Sequence, residues 1–187
     1  MEGAWNRRLA GLVLALIVFG LDQFVKWLVT GPLEIDSVGD VQQLLPFFDL
    51  RFTQNFGISL GLFEADSVET RWILVFGTAA IAVIVFLWML RERAMGDIFG
   101  LGLILGGALG NILDRILFGY VIDYADLHFG TFRPFLIFNV ADAAITIGVV
   151  IILARAFFVR DTADQMMADS APAAHSDTHA RSAETKP

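Results

Sequence analysis

The chain has 187 residues, 56% of them hydrophobic, and a formal net charge of −7. That apolar share exceeds the roughly 45–50% of an ordinary soluble domain, and because the excess sits in blocks it points to a membrane protein. The acidic balance offers no basic surface for nucleic acid, and the lack of cysteine removes disulfides, thiolate nucleophiles, Cys-based metal sites and lipidation on cysteine.

Four blocks are long enough to cross a bilayer, about Leu9–Val29, Trp72–Leu90, Ile98–Phe118 and Phe135–Phe158. A helix needs roughly 20 residues to cross the hydrocarbon core, and only helices or closed barrels satisfy their backbone there. Runs this continuous lack the alternation of barrel strands. Arg7 and Arg8 ahead of the first block resemble the start of a secretory signal. The apolar run continues through Trp27–Val29 with no small-residue cleavage site, however, so it reads as a retained first span.

The connection after the first block, Gly31–Arg71, is long. Its stretch "DVQQLLPFFDLRFTQNFGISLGLF" alternates and is rich in aromatics, which predicts short strands lying on the membrane face. The third block contains "GLGLILGGALGN", whose small residues predict a close packing face between helices. The connection that follows, about Gly119–Pro134, holds "YVIDYADLHFGTFRP". Residues 1–160 therefore read as a single four-span domain. The segment 161–187 is polar, carries two prolines, and is expected to be a disordered tail. His175 and His179 have helical metal-ligand spacing, but no helix is expected there and no metal is assigned.

Four spans put both chain ends on one side, together with Arg7, Arg8, Arg91, Arg93, Arg155 and Arg160. The opposite side holds Arg51, Arg71 and Arg133, and also Glu34, Asp36, Asp40 and Asp49. The Lys/Arg bias places both termini in the cytoplasm.

Polar residues within the spans agree in depth. Asp22, Gln23 and Lys26 fall in the outer half of the first span, and Asp22 and Lys26, four apart, share a helix face. Asn111, Asp114 and Arg115 lie near the outer end of the third span, with Asp123 just beyond. Asn139 and Asp142 open the fourth. Ionisable groups in membrane helices usually face the bundle interior, pair up and mark function. Alternatives stay open residue by residue. Asp22 and Lys26 suit either a plain ion pair or support of a site. Asn111, Asp114 and Arg115 suit interhelical glue or the same support, Asp123 suits a solvated loop acid, and Asp142 suits a helix cap. Two carboxylates brought together cannot easily both ionise, which suits general acid–base hydrolysis by water. A proton relay would need charge through the whole membrane depth, and the inner halves of the spans are almost bare of it; no internal repeat of a transporter is visible. A non-enzymatic scaffold would use the same cluster only to hold helices together.

The segments "LDQFVK", "NFGISLG", "GALGNILDR", "GYVIDY" and "FNVADAAITIG" occur in this order. The set resembles the bacterial lipoprotein signal peptidase family, the type II signal peptidases, over most of residues 20–150. The resemblance implies an all-α membrane protein with four transmembrane helices, a small periplasmic β-cradle in the first outer loop and a short periplasmic helix. It implies an aspartic endopeptidase, without cofactor, that cleaves the signal peptide from diacylglyceryl-modified prolipoproteins immediately before the lipidated cysteine. Carried onto this sequence, the catalytic pair is Asp123 and Asp142. Asp22, Lys26, Asn55, Asn111, Arg115 and Asn139 fall on the surrounding substrate-binding or supporting positions. The implied partners are prolipoprotein signal peptides and membrane lipid, with no nucleic acid. A monomer in the bacterial cytoplasmic membrane is expected, its active site near the outer leaflet. Ile58, Ser59 and the "DYADLHFG" stretch depart from the commoner family pattern and bear on substrate preference rather than on the polar positions.

Overall fold

The computed structural model describes residues 2–57 and 68–169. Its elements in chain order are α1 (Glu2–Thr30), β1 (Val41–Leu45), β2 (Phe48–Asn55), α2 (Val68–Arg91), α3 (Met95–Leu117), β3 (Val121–Leu127) and α4 (Val140–Asp169). Each helix contains a segment long and apolar enough to cross a membrane: Trp5–Thr30, Val68–Arg91, Met95–Leu117 and Val140–Phe158. Their outward faces carry large apolar side chains such as Leu16, Phe76, Ile84 and Phe157, as a lipid-facing surface requires. The fold is thus the expected four-helix membrane frame with a small sheet.

The centre of the bundle is α3, which packs against α1, α2 and α4. Its glycines allow backbones to meet. A methyl group at Gly102 would lie 2.8 Å from the Gly11 carbonyl oxygen of α1, and one at Gly107 would lie 2.5 Å from the Ala141 carbonyl oxygen of α4. Apolar side chains fill the rest of the interface, with Met89, Ile98 and Leu101 fully buried. The predicted packing role of the glycine-rich stretch is what the helices use.

The sheet has order β1-β2-β3, antiparallel throughout. β1 and β2 fall where alternation predicts strands. β3 is an addition to the sequence reading, and residues 121–126 are all buried. One edge of β3 pairs with β2, setting Asp123 opposite Thr53. The other bridges to Phe138, which exchanges backbone hydrogen bonds with Ala125. Val29, Ile35, Leu50, Phe52 and Ile122 pack around this sheet.

Two boundaries differ from the sequence reading. The fourth helix starts at Val140 rather than Phe135, because Phe138 is engaged by β3 and Asn139 caps the helix. At its other end α4 continues to Asp169, past the boundary drawn at residue 160, where Ala163, Gln165, Met166, Met167 and Ala168 are good helix formers. His175, His179, Ile58 and Ser59 lie outside the described residues. The short outer helix that the resemblance implies is not found among those described.

Candidate active site

Asp142 occupies the third position of α4, and Asn139 is the cap. The Asn139 Oδ1 accepts the Asp142 backbone N–H at 2.9 Å, and the Asp142 carboxylate accepts the Asn139 backbone N–H at 3.4 Å. This reciprocal arrangement satisfies orphan donors at a helix start. The bland reading of Asp142 as a cap is therefore correct as far as it goes, but it leaves Asp142 Oδ1 free to take a second bond. That bond comes from α3, where Asn111 Nδ2 donates at 2.8 Å.

Asp123 reaches the same place from β3. The Asn139 Nδ2 donates to Asp123 Oδ1 at 2.7 Å, and Asn55 Nδ2, at the end of β2, donates to Asp123 Oδ2 at 2.9 Å. One asparagine side chain thus holds both aspartates. Asp123 is buried, so it is no solvated loop acid. Burial pushes its carboxyl up to about 7, and the nearby charge of Asp142 adds to the effect, while the bonds from Asn55 and Asn139 pull the other way.

Asn55 is itself fixed by a turn, in which its Oδ1 accepts the Gly57 N–H at 2.8 Å. Gly57 has φ +78°, a backbone conformation that calls for glycine. Arg115 donates from Nη1 to the Asn111 carbonyl at 3.3 Å, and its charge acts on Asp142, Asp123 and Asp114. Asn111 Oδ1 receives Asn139 Nδ2 at 3.3 Å and Lys26 Nζ at 3.5 Å. Lys26 pairs with Asp22 at 2.7 Å and with Asp114 at 2.7 Å. All eight residues singled out from the sequence, together with the intervening bonds, form one connected polar cluster at one end of the bundle.

Two members of that cluster lie outside the eight. Gln23 and Asp114 stand at the same depth in the sequence reading, which did not count them among the site residues. Asp114 is fully buried, and Gln23 Nε2 donates to Asp114 Oδ1 at 3.0 Å and to Asp22 Oδ2 at 3.2 Å. Among the described residues no three His, Cys, Asp or Glu side chains are grouped as a metal would require.

Two hollows open beside the aspartates. A cavity of about 820 Å³ is lined by Thr53, Asn55, Gly57, Asp123, Arg133 and Leu136. Its Arg133 wall is tied down by Asp126 of β3, which binds Arg133 at 3.0 Å and Arg51 at 3.2 Å. A second hollow of about 310 Å³ runs along α4 past Phe138, Asp142, Thr146 and Ile147. The segment Phe135–Leu136 borders both. The arrangement sets two carboxyl-bearing residues, bridged by Asn139, between a hollow of mixed polar and apolar lining and a mainly apolar one.

A family model described as signal peptidase (SPase) II matches residues 14–158. The lipoprotein signal peptidase of Sphingopyxis alaskensis is 53% identical over 162 residues, which cover 87% of this chain and 92% of that one. The lipoprotein signal peptidase of Rhizorhabdus wittichii is 51% identical over 151 residues, covering 81% and 87%. A solved structure described as a bacterial membrane enzyme superposes with a TM-score of 0.68 at 26% identity, covering 80% of this chain and 93% of that one.

Proposed function

The chain belongs to the signal peptidase II family, and from that premise we propose that Asp123 and Asp142 are its catalytic pair. The enzyme is a membrane peptidase that removes signal peptides from prolipoproteins. The observation that carries the assignment is Asn139, which accepts from the Asp142 backbone and donates to the Asp123 carboxyl.

In this reading Asp123, raised to about 7, starts as the acid and Asp142 as the base. Asp142 takes a proton from water as the water oxygen bonds to the scissile carbonyl carbon. Asp123 gives its proton to the carbonyl oxygen, leaving a neutral tetrahedral diol. Asp142 then returns its proton to the amide nitrogen as the C–N bond breaks, and Asp123 recovers a proton from the diol. Atoms and charge balance, with general acid–base assistance on both sides and no cofactor. Asn139, Asn111 and Asn55 hold the carboxyls in place.

The substrate is a diacylglyceryl-modified prolipoprotein, cut immediately before the lipidated cysteine. Apolar signal-peptide residues lie in the hollow along Thr146 and Ile147, and the polar segment turns into the cavity over Asp123. The reading extends to a monomer, since one chain supplies both aspartates and both hollows. It places both termini in the cytoplasm and the site near the outer leaflet. Nucleic acid has no part in it.

Cleavage of the lipidated precursor by purified protein in detergent tests the pair. Asp123→Asn and Asp142→Asn should each slow cleavage by at least about a hundredfold, within the range that positioned acids and bases contribute. Folded variants that cleave at the wild-type rate would overturn the assignment.

A further inference from the structure

Two carboxylates outside the catalytic pair grip the backbone immediately before it. Asp22 Oδ1 accepts the Ala141 N–H at 3.0 Å, one residue before Asp142. Asp114 Oδ2 accepts the Ile122 N–H at 3.1 Å, one residue before Asp123. Lys26 Nζ stands between them, 2.7 Å from Asp22 Oδ2 and 2.7 Å from Asp114 Oδ2. All three side chains are buried, and none lines either hollow beside the aspartates.

Burying three charges is costly unless each is well partnered. Holding α1 to α3 would need only one ion pair between them. It would not need each carboxylate to aim at an amide on a third and a fourth element. The Ala141 amide is an orphan donor in the first turn of α4, which an acceptor on another helix can satisfy. The Ile122 amide lies on β3. Lys26 therefore links the element that carries Asp142 to the one that carries Asp123.

We infer that Asp22, Lys26 and Asp114 form a clamp that fixes the spacing of the two aspartates, and that all three are positioning residues. The inference rests on the reading of Asp123 and Asp142 as the catalytic pair. Its logic is geometric. A carboxyl pair sharing one proton must hold water and carbonyl together, and displacements on the order of an ångström cost such sites about a hundredfold.

The test uses full-length protein in detergent with the lipidated precursor. Asp114→Asn keeps an oxygen for the Ile122 amide but not the charge, Asp114→Leu keeps neither, and Lys26→Met removes the link. The expected result is a fall in kcat of on the order of a hundredfold for Asp114→Leu, with KM within about twofold. Asp114→Asn should recover about a factor of ten of that loss. Asp22→Asn combined with Asp114→Asn should lose less than the product of the single losses, because each already breaks the same link. In folded Lys26→Met, amide exchange should quicken in the peptides that contain Ile122 and Ala141.

A raised KM at unchanged kcat would overturn the clamp, since it would mean contact with substrate. Equal activity of Asp114→Asn and Asp114→Leu, or multiplying losses in the double variant, would do the same. If Asp114→Leu does not fold, Lys26→Met decides, and unchanged exchange at both amides overturns the inference. Asp142→Asn run alongside separates the two claims: cleavage by that variant removes the catalytic reading itself, whatever the clamp variants do.

Discussion

At the scale of single residues the site turns on the proton of Asp123. An aspartate in the unfolded chain titrates near 3.8, and in the fold this one is raised to about 7. The folded state therefore binds more protons across that window. The contribution of Asp123 to stability is fully present below about pH 3.8 and is lost as pH rises through 7. Asp123→Asn, which does not titrate, should flatten the decline in melting temperature between mildly acidic and mildly alkaline pH. In the proposed mechanism catalysis follows the same group, because the pair needs one proton. The alkaline limb of kcat/KM should fall near pH 7, where Asp123 in the free enzyme gives up its proton. Asn55 donates to Asp123 and favours its ionised form, so Asn55→Ala should move that limb upward. A bond worth on the order of 1 kcal/mol corresponds to a shift of about half a unit to one unit. A limb that stays in place or moves down would show that Asn55 does not hold the charged carboxylate.

At the scale of elements, α3 does most to bring the site together, and its small residues are the reason. Gly107→Val puts a branched side chain where even a methyl group would lie 2.5 Å from a backbone oxygen of α4. It should cost roughly 1–3 kcal/mol, as overpacking does, and lower the melting temperature in detergent. Gly20→Ala is the contrast, since a methyl group there meets nothing within 4 Å and should leave the melting temperature unchanged or higher. The glycine face was legible in the sequence because small residues recur inside an apolar run. The spans were legible for the same kind of reason, and β1 and β2 through alternation. β3 was not, because it is buried on both faces and so does not alternate. Its Asp123 and Asp126 are residues that strands disfavour, tolerated here through partners that arrive from Asn55, Asn139, Arg51 and Arg133. The start of α4 was misplaced although Asn139 followed by Asp142 is a capping signature, because the apolar run Phe135–Phe138 obscured it. The polar positions were legible by shared depth. Which oxygen grips which amide was not, since the Asp22–Ala141 bond joins residues 119 apart in sequence.

At the scale of the molecule, the polar cluster lies at one end of an otherwise apolar bundle, so orientation decides which face of the membrane the chemistry serves. The site-bearing end carries Arg51, Arg71 and Arg133, but all three already have partners in the fold, Arg133 with Asp126. Arg51 is paired with Asp126, and Arg71 donates to the Ile116 carbonyl at the end of α3. At the other end Arg155 is paired with Asp97, while Arg7, Arg8, Arg91 and Arg93 add positive charge in short segments beside the spans. By the proposed orientation, such a bias would keep that end in the cytoplasm. The chain has no cysteine, so a single introduced thiol reports its side without background. Val38, 74% exposed in the loop before β1, marks the site-bearing end, and Arg93, exposed between α2 and α3, marks the other. In intact cells with a permeable outer envelope, a membrane-impermeant maleimide should label Val38→Cys and leave Arg93→Cys unreacted until the inner membrane is broken. Arg93→Cys leaves five arginines at its end, enough to keep the bias. The reverse labelling pattern would put the aspartates on the cytoplasmic face. It would leave the chemistry of the pair untouched but require substrate to reach it from the other leaflet.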